Sequence, residues 1–278
     1  MVSQGTGVTG GRSGRLIFMA FGASLAGMAG RTFVIGDIHG DLEALFRLLS
    51  GLPELDEGDT VVFSGDYLDR GPRSAEVIDY LRKLPSQTKA KIVTLRGNHE
   101  DGWLRVLDKG WPEFVLPQPN GCLATLRSYL GRPPPAEDEG AADDELRMLL
   151  EGTFFPDEVV AWMRELPYWY EDEHAIYVHA GLPKNKEGEG YLHPSEAKSK
   201  LALLWCRDED FVREYRGKRV IFGHTSTRYL PPELSSYTPS DADDLWVGPC
   251  VIGIDTRCGK GGFLTGLELP SGRVYESR

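Results

Sequence analysis

The chain has 278 residues, 41% hydrophobic and 26% charged, so it can bury roughly 70% of its unfolded surface. That composition excludes a disordered, collagenous or multi-span membrane chain. Lys and Arg number 31 against 42 Asp and Glu, a net charge of −11. With no basic stripe, duplex nucleic acid is excluded as the main partner.

Residues 1–14 are rich in Gly, Ser and Thr, and Arg12 and Arg15 precede an apolar run from Leu16 to Ala29. The run is too short to span a bilayer and only weakly matches a secretory signal. A strand follows almost at once, and Met19 or Met28 would serve as well as a first residue. Residues 1–30 are therefore read as a disordered, dispensable leader or a misassigned start, and 31–278 as one domain. The four cysteines (Cys122, Cys206, Cys250, Cys258) show no Cys-x-x-Cys spacing. They read as core fillers in a reducing, cytoplasmic setting with no membrane partner.

From residue 31 a pattern repeats: a short β-branched or aromatic run, typical of a buried parallel strand, ends in glycine beside a polar residue. The runs are Thr32–Ile35, Thr60–Phe63 and Lys91–Leu95, then Ala175–Val178, which ends at His179 instead, and Arg219–Phe222. Two helical stripes lie between the first three, Leu42, Leu45, Phe46 and Leu49, then Val77, Tyr80, Leu81 and Leu84. Alternation of this kind predicts βαβ units in an α/β fold, with the ligand site beyond the carboxyl ends of the strands. Residues 103–170 look mainly helical, with a surface loop at Pro133–Asp144 and an aromatic group, Trp162, Tyr168, Trp169 and Tyr170, of the kind found in cores or seams. Residues 184–200 and 228–247 read as loops. Val251–Asp255, Phe263–Leu269 and Arg273–Glu276 read as an antiparallel meander around a Gly259–Gly262 turn.

Five segments carry chemistry: Gly36-Asp37-Ile38-His39-Gly40, Gly65-Asp66-Tyr67-Leu68-Asp69-Arg70-Gly71, Arg96-Gly97-Asn98-His99-Glu100, Val178-His179-Ala180-Gly181 and Phe222-Gly223-His224-Thr225. Singly, each is an ordinary turn. Together they gather carboxylates, an amide and imidazoles at strand ends, where unpaired polar groups are costly. Divalent cations relieve that cost, and this mixed donor set suits Mn, Fe or Zn better than Ca or Mg. His174 and His193 receive no role, and Arg96 reads as a structural salt-bridge partner.

In order and spacing the five blocks, with Trp205-Cys206-Arg207 and Ile254-Asp255-Thr256, resemble the phosphoprotein phosphatase family of binuclear metallophosphoesterases. The similarity runs from residue 31 to about 270, and is greatest to the bacterial and phage branch that includes symmetrical diadenosine tetraphosphatases. The resemblance implies a central β-sandwich flanked by helices, with the metal site at the C-terminal ends of the strands. It implies one metal on Asp37, His39 and Asp66, and a second on Asp66, Asn98, His179 and His224. A hydroxide bridging the pair would attack phosphorus directly, since two close cations bring a water's pKa towards about 7. His99 would protonate the leaving oxygen, Asp69 would orient His99, and Arg70 and Arg207 would clamp phosphoryl oxygens. The cofactor expected is two divalent ions, Mn first, with Fe or Zn possible.

Asp69 and the Arg96–Glu100 block look more like the protein-phosphatase version of these motifs. His179-Ala180-Gly181 and the Gly253–Gly262 stretch depart from the eukaryotic enzymes. The first expectation is a Ser/Thr-type phosphoprotein phosphatase acting on phosphorylated protein or peptide. The alternative is a symmetrical diadenosine tetraphosphate hydrolase that releases ADP, with the inserted cap segments near 103–170 and 228–247 walling the cleft and Trp103 or Trp111 stacking adenine. A non-catalytic phosphoprotein-binding relative is the remote third.

Overall fold

The computed structural model describes residues 15–16, 30–186 and 188–278. The leader expected over residues 1–30 lies outside them, except for Gly30 and the two-residue strand β1 (Arg15–Leu16), which pairs with the last strand. The remaining strands are β2 (Thr32–Ile35), β3 (Thr60–Phe63), β4 (Lys91–Thr94), β5 (Trp169–Glu171), β6 (Ile176–Val178), β7 (Val220–Phe222), β8 (Trp246–Val247), β9 (Val251–Gly253), β10 (Thr265–Leu269) and β11 (Arg273–Glu276). They form two sheets, β1-β11-β10-β2-β3-β4 and β5-β6-β7-β9-β8. Each holds a parallel trio, β2-β3-β4 in one and β6-β7-β9 in the other, bordered by antiparallel strands. The expected β-sandwich is therefore present.

Side chains alternate across each strand, so the two faces of a sheet bury different residues. Val34, Val62 and Val93 point into the seam between the sheets, where they meet Tyr177, Ile221, Ile252 and Ile254. Phe33, Ile35, Val61 and Phe63 point the other way, under helices. Ile176, Val178, Val220 and Phe222 do the same on the second sheet.

The helices are α1 (Leu42–Gly51), α2 (Ser74–Lys83), α3 (Asn98–Lys109), α4 (Pro112–Val115), α5 (Cys122–Leu130), α6 (Asp143–Glu151), α7 (Asp157–Glu165), α8 (Leu201–Trp205) and α9 (Glu209–Glu214). Asp41 caps α1 by accepting from the Ala44 amide at 2.9 Å. The buried stripe of α1 is Leu42, Ala44, Leu45 and Leu48, while Phe46 is 46% exposed and packs edge-on against Tyr80. One residue is 100° of rotation, so Leu45 facing the sheet turns Phe46 towards solvent. Trp103, Leu104, Val106, Leu149 and Met163 from the helical stretch after β4 share one core with Ile35 and Phe63.

The C-terminal meander holds only in part. β10 and β11 pair antiparallel, but β9 belongs to the second sheet and runs parallel to β7. Ile252 and Ile254 fill the seam from the far side, and the chain then crosses through the Gly-rich turn to the first sheet. Among the described residues Arg96 also forms no salt bridge. It donates to the Arg164 carbonyl and the Tyr168 hydroxyl and lies over the Tyr168 ring, tying α7 to the sheet.

Candidate metal centre

Asp37 and His39 follow β2, Asp66 follows β3, Asn98 follows β4, His179 follows β6 and His224 follows β7. Each is no more than 5% exposed. The turns that aim them are unusual. His39, Asp66, Asp69, Arg70 and His224 have φ between 48° and 71°, a left-handed region that costs a residue other than glycine about 1 kcal/mol or more. Crossed backbone bonds hold these turns: the Ile38 and His39 amides both donate to the Asp66 carbonyl, at 3.1 and 2.9 Å, and the Gly223 amide donates to the His179 carbonyl at 2.9 Å. Two glycines are required by contact alone. A Cβ on Gly223 would fall on Asp37 Oδ1, and one on Gly97 would fall on the Asp66 amide.

The imidazoles are oriented from behind. His39 Nδ1 donates to the Leu68 carbonyl at 2.9 Å, His179 Nδ1 to the Ser64 carbonyl at 2.9 Å, and His99 Nδ1 to Asp69 Oδ2 at 2.6 Å. A neutral ring that donates through Nδ1 carries its lone pair on Nε2. All three Nε2 atoms converge on the Asp66 carboxylate, at 3.5, 3.4 and 3.8 Å for His39, His179 and His99. Asn98 Oδ1 stands 2.9 Å from His179 Nε2 and 2.7 Å from His224 Nδ1. His224 Nε2 is buried without a hydrogen-bond partner.

Protonation does not resolve this crowding. Burial pushes the His39, His179 and His224 pKa values down, helped at His39 by Arg70 and Lys260 and at His224 by His179 and Arg207. Burial alone would raise Asp66, and only positive charge on or beside the rings of His179, His99, His39 and His224 holds it well below the usual carboxylate range. Asp37 goes the other way, raised by burial and by Asp255 and Asp66. Bare lone pairs on nitrogen and oxygen thus face one another in a dry pocket, which is the environment a divalent cation satisfies. The donors form two overlapping groups that share Asp66, His39–Asp66–His99 and Asp66–His179–His224, each within 4.8 Å. The residues present fit a pair of cations.

The grouping differs in one respect from the set the resemblance implied. His99, expected as a proton donor, stands in the tight group where Asp37 was expected. The Asp37 carboxylate accepts instead from Ser64 Oγ at 3.1 Å and from the His224 amide at 2.9 Å. Arg70 reaches into the centre and donates to His39 Nε2. Arg207 is exposed at the rim, near enough for its charge to depress His224.

The sequence reading gave several neighbours no role. Asp255 is fully buried after β9 and accepts from Ser226 Oγ, the Arg257 amide and Lys260 Nζ at 3.1, 2.9 and 3.4 Å. Its position after a strand was the available signal. The Glu100 carboxylate takes the amides of Asp66, Tyr67 and Gly97 at 3.0, 2.8 and 2.9 Å, fixing the two turns against each other. Burial and Asp66 push Glu100 up to about 8 while those amides pull it down. Of the candidate adenine platforms, Trp103 is fully buried, whereas Trp111 is half-buried, stacks on Phe114 and meets Trp205 edge-on. His174 bonds the Gly30 carbonyl and His193 bonds Glu171, both away from the centre.

The profile of calcineurin-like phosphoesterases matches residues 30–228. The chain belongs to the calcineurin-like phosphoesterase family. Among its relatives is the serine/threonine-protein phosphatase SIT4 of Candida albicans, 46% identical over 70 residues, which are 24% of this chain and 22% of that protein. The chain therefore aligns with less than a quarter of that phosphatase. It is 25% identical over 261 residues to the asymmetrical bis(5'-nucleosyl)-tetraphosphatase PrpE of Bacillus velezensis, covering 85% of this chain and 88% of that one. It is also 25% identical over 285 residues to the symmetrical bis(5'-nucleosyl)-tetraphosphatase of a Janthinobacterium species, covering 86% and 92%. The crystal structure of a candidate diadenosine tetraphosphatase has the same fold, with a TM-score of 0.53 at 22% identity over 91% of this chain and 95% of that one.

Among the described residues of this calcineurin-like phosphoesterase, no helix is long and apolar enough to cross a membrane. A cavity of about 570 Å³ adjoins the centre, lined by Arg70, Pro117, Gly121, Gly259 and Lys260. Gly259 packs directly behind His39, so this cavity and the centre share a wall.

Proposed function

We propose that the chain hydrolyses phosphoanhydrides or phosphate esters with two divalent cations, on Asp37, His39, Asp66, Asn98, His179 and His224, and that its substrate is a dinucleoside tetraphosphate. The observation that carries the chemistry is the convergence of unprotonated donors on Asp66, together with the unpartnered Nε2 of His224. Divalent cations, when bound, acidify water and neutralise phosphoryl oxygens. The mixed donor set favours Mn, with Fe or Zn as alternatives.

The protein's own groups do the rest. His99 Nδ1 is committed to Asp69, so Nε2 is the atom that carries a transferable proton towards the leaving oxygen. The Asp69 carboxylate balances the positive charge of that ring once protonated. Arg70 and Arg207 add positive charge on either side of the centre, within an acidic protein, and so favour an approaching phosphate. Residues 31–278 act as one domain whose segments 103–170 and 228–247 wall the cleft. All four cysteines are free thiols, which fits a reducing cytoplasmic setting.

The substrate order reverses the expectation from motifs alone. Two tetraphosphatases align with the chain nearly end to end, whereas the protein phosphatase aligns over 70 residues. The cavity beside His39 adds Lys260 to Arg70, giving room and charge for phosphates beyond the one attacked. A Ser/Thr-type protein phosphatase is the second reading, supported by the higher identity of that 70-residue stretch.

The test is a paired turnover assay on the Mn²⁺-loaded protein, with diadenosine tetraphosphate against a phosphoserine/phosphothreonine peptide at matched concentrations. ADP as the dominant product, at higher kcat/KM, is expected. ATP plus AMP would keep the substrate and change the bond cleaved. Phosphate released mainly from the peptide would install the second reading. Turnover of neither would leave a phosphoprotein-binding relative.

A further inference from the structure

Asp69 is fully buried, and its carboxylate has more partners than His99. Trp103 Nε1, from α3, donates to both oxygens, at 3.0 and 3.1 Å. Thr125 Oγ1, from α5, donates to Oδ1 at 2.6 Å and accepts from the Asp69 amide at 2.8 Å. Ser74 Oγ, the first residue of α2, accepts from the same amide at 3.1 Å and donates to Thr125 Oγ1 at 3.0 Å. Trp103, Thr125 and Ser74 are all fully buried. Asp69 itself has φ of 70°, a conformation that persists only where surroundings over-determine it. The Trp103 indole is fixed in turn by edge contacts with Phe114, Phe154 and Phe155, at centroid distances of 5.9, 5.2 and 5.1 Å.

We propose that Thr125 and Trp103 are positioning residues for proton donation by His99, acting through Asp69. This rests on the reading of His99 as the proton donor given above. With Thr125 on Oδ1 and Trp103 bridging both oxygens, the plane of the carboxylate is fixed, and Oδ2 is presented to His99 Nδ1 at 2.6 Å. The ring is thereby held in the orientation that turns Nε2 to the centre, with Asp69 balancing the protonated form that donates from that atom. Neither residue touches substrate or a proposed metal ligand, and both come from the helical stretch after β4 rather than from the five motifs. That stretch therefore does more than wall the cleft: it sets the direction of the donor. Outer partners of this kind are worth about 10–100-fold in activity.

Thr125→Val removes the hydroxyl at nearly constant volume, and Thr125→Ser restores it. The expected signature is selective. Turnover of phenyl phosphate, whose leaving group needs the proton, falls about 10–100-fold in Thr125→Val. Turnover of 2,4-dinitrophenyl phosphate, whose leaving group does not, changes less than about threefold, and metal content is unchanged. Thr125→Ser recovers the phenyl ester. Equal loss on both esters, or no recovery in Thr125→Ser, would overturn the proposal. If Thr125→Val fails to fold, Trp103→Phe keeps the ring and removes only the N–H, and the same two esters decide. If the wild-type protein hydrolyses neither these esters nor diadenosine tetraphosphate, the functional reading fails on its own. The positioning claim is then decided by solvent exchange of the His99 Nδ1–H in NMR spectra, slow in the wild type and fast in Thr125→Val; unchanged exchange sinks it.

Discussion

His179 Nε2 and Asn98 Oδ1 face each other across 2.9 Å, although the bond from His179 Nδ1 to the Ser64 carbonyl leaves Nε2 an acceptor. Two acceptors at that distance need a positive charge between them, and burial disfavours a proton on His179. Divalent metal should therefore stabilise the fold. At a hundred times Kd, each site adds about 2.7 kcal/mol, or roughly 5–10 °C in Tm for a chain of this size. Calorimetry with Mn²⁺ and with a chelator measures this directly. Asp66→Asn should abolish the shift and reduce phosphate-ester turnover by about a thousandfold, some 4 kcal/mol of transition-state stabilisation. A chelator-insensitive Tm would refute the metal centre.

His99 stands where two roles are geometrically open. Its Nε2 lies 3.8 Å from Asp66 Oδ2, in a group that could hold a cation, while its Nδ1 is bound to Asp69. As the proton donor, His99→Ala should lose about 10²–10⁴ in turnover and keep the wild-type metal content. Elemental analysis of the purified variant separates the cases, because loss of metal would make His99 a ligand.

The strands and their order of chemistry were legible because the buried runs are β-branched or aromatic and all but Ala175–Val178 lead into a glycine. Thr32–Ile35 and Thr60–Phe63 are found at the predicted bounds. Gly97 and Gly223 show why glycine recurs, since each sits where another segment's ligand leaves no room for a Cβ. What local sequence could not show was pairing between distant segments. β9 looked like part of a meander because its neighbours in the chain are antiparallel strands, yet Ile252 and Ile254 are buried in the seam beside β7. Thr125 and Trp103 lack any motif, and only packing brings them to Asp69. Asp255 carried the strand-end signal, but no adjacent histidine or asparagine marked it.

Lys260 links substrate choice to the centre. Its Nζ is 3.4 Å from Asp255, and its charge is felt at both Asp37 and His39. It also lines the cavity that Arg70 enters. If that cavity takes the phosphates of a dinucleoside tetraphosphate, Lys260→Met should raise KM for that substrate about tenfold, near 1.4 kcal/mol, the low end for a charged hydrogen bond. For a small aryl phosphate kcat/KM should stay within about threefold. Steady-state kinetics on both substrates decide it: equal losses would remove Lys260 from the substrate site.

Stability against acid should depend on the ion pairs that join α5 to α6. Glu145 on α6 accepts from Arg127 on α5 at 2.9 and 3.1 Å, from Arg132 at 3.0 Å and from the Ala142 amide at 3.1 Å. Its side chain is 3% exposed. Arg127 is the main reason, opposed by burial, that its pKa is lowered from 4.5 to about 2. A carboxylate depressed in the folded state stabilises above its unfolded pKa and loses that contribution as pH falls towards the folded one. The contribution is fully present at pH 7, declines below about 4.5 and is gone near 2. Its ceiling is about 3 kcal/mol from the pKa difference, and the partly exposed Arg132 brings that to about 2 kcal/mol. Glu145→Gln should therefore be about 2 kcal/mol less stable in urea at pH 7, with the gap narrowing as the pH drops below 4.5. A gap that stays constant from pH 7 to pH 4 and below would mean that the carboxylate's charge does not hold α5 to α6.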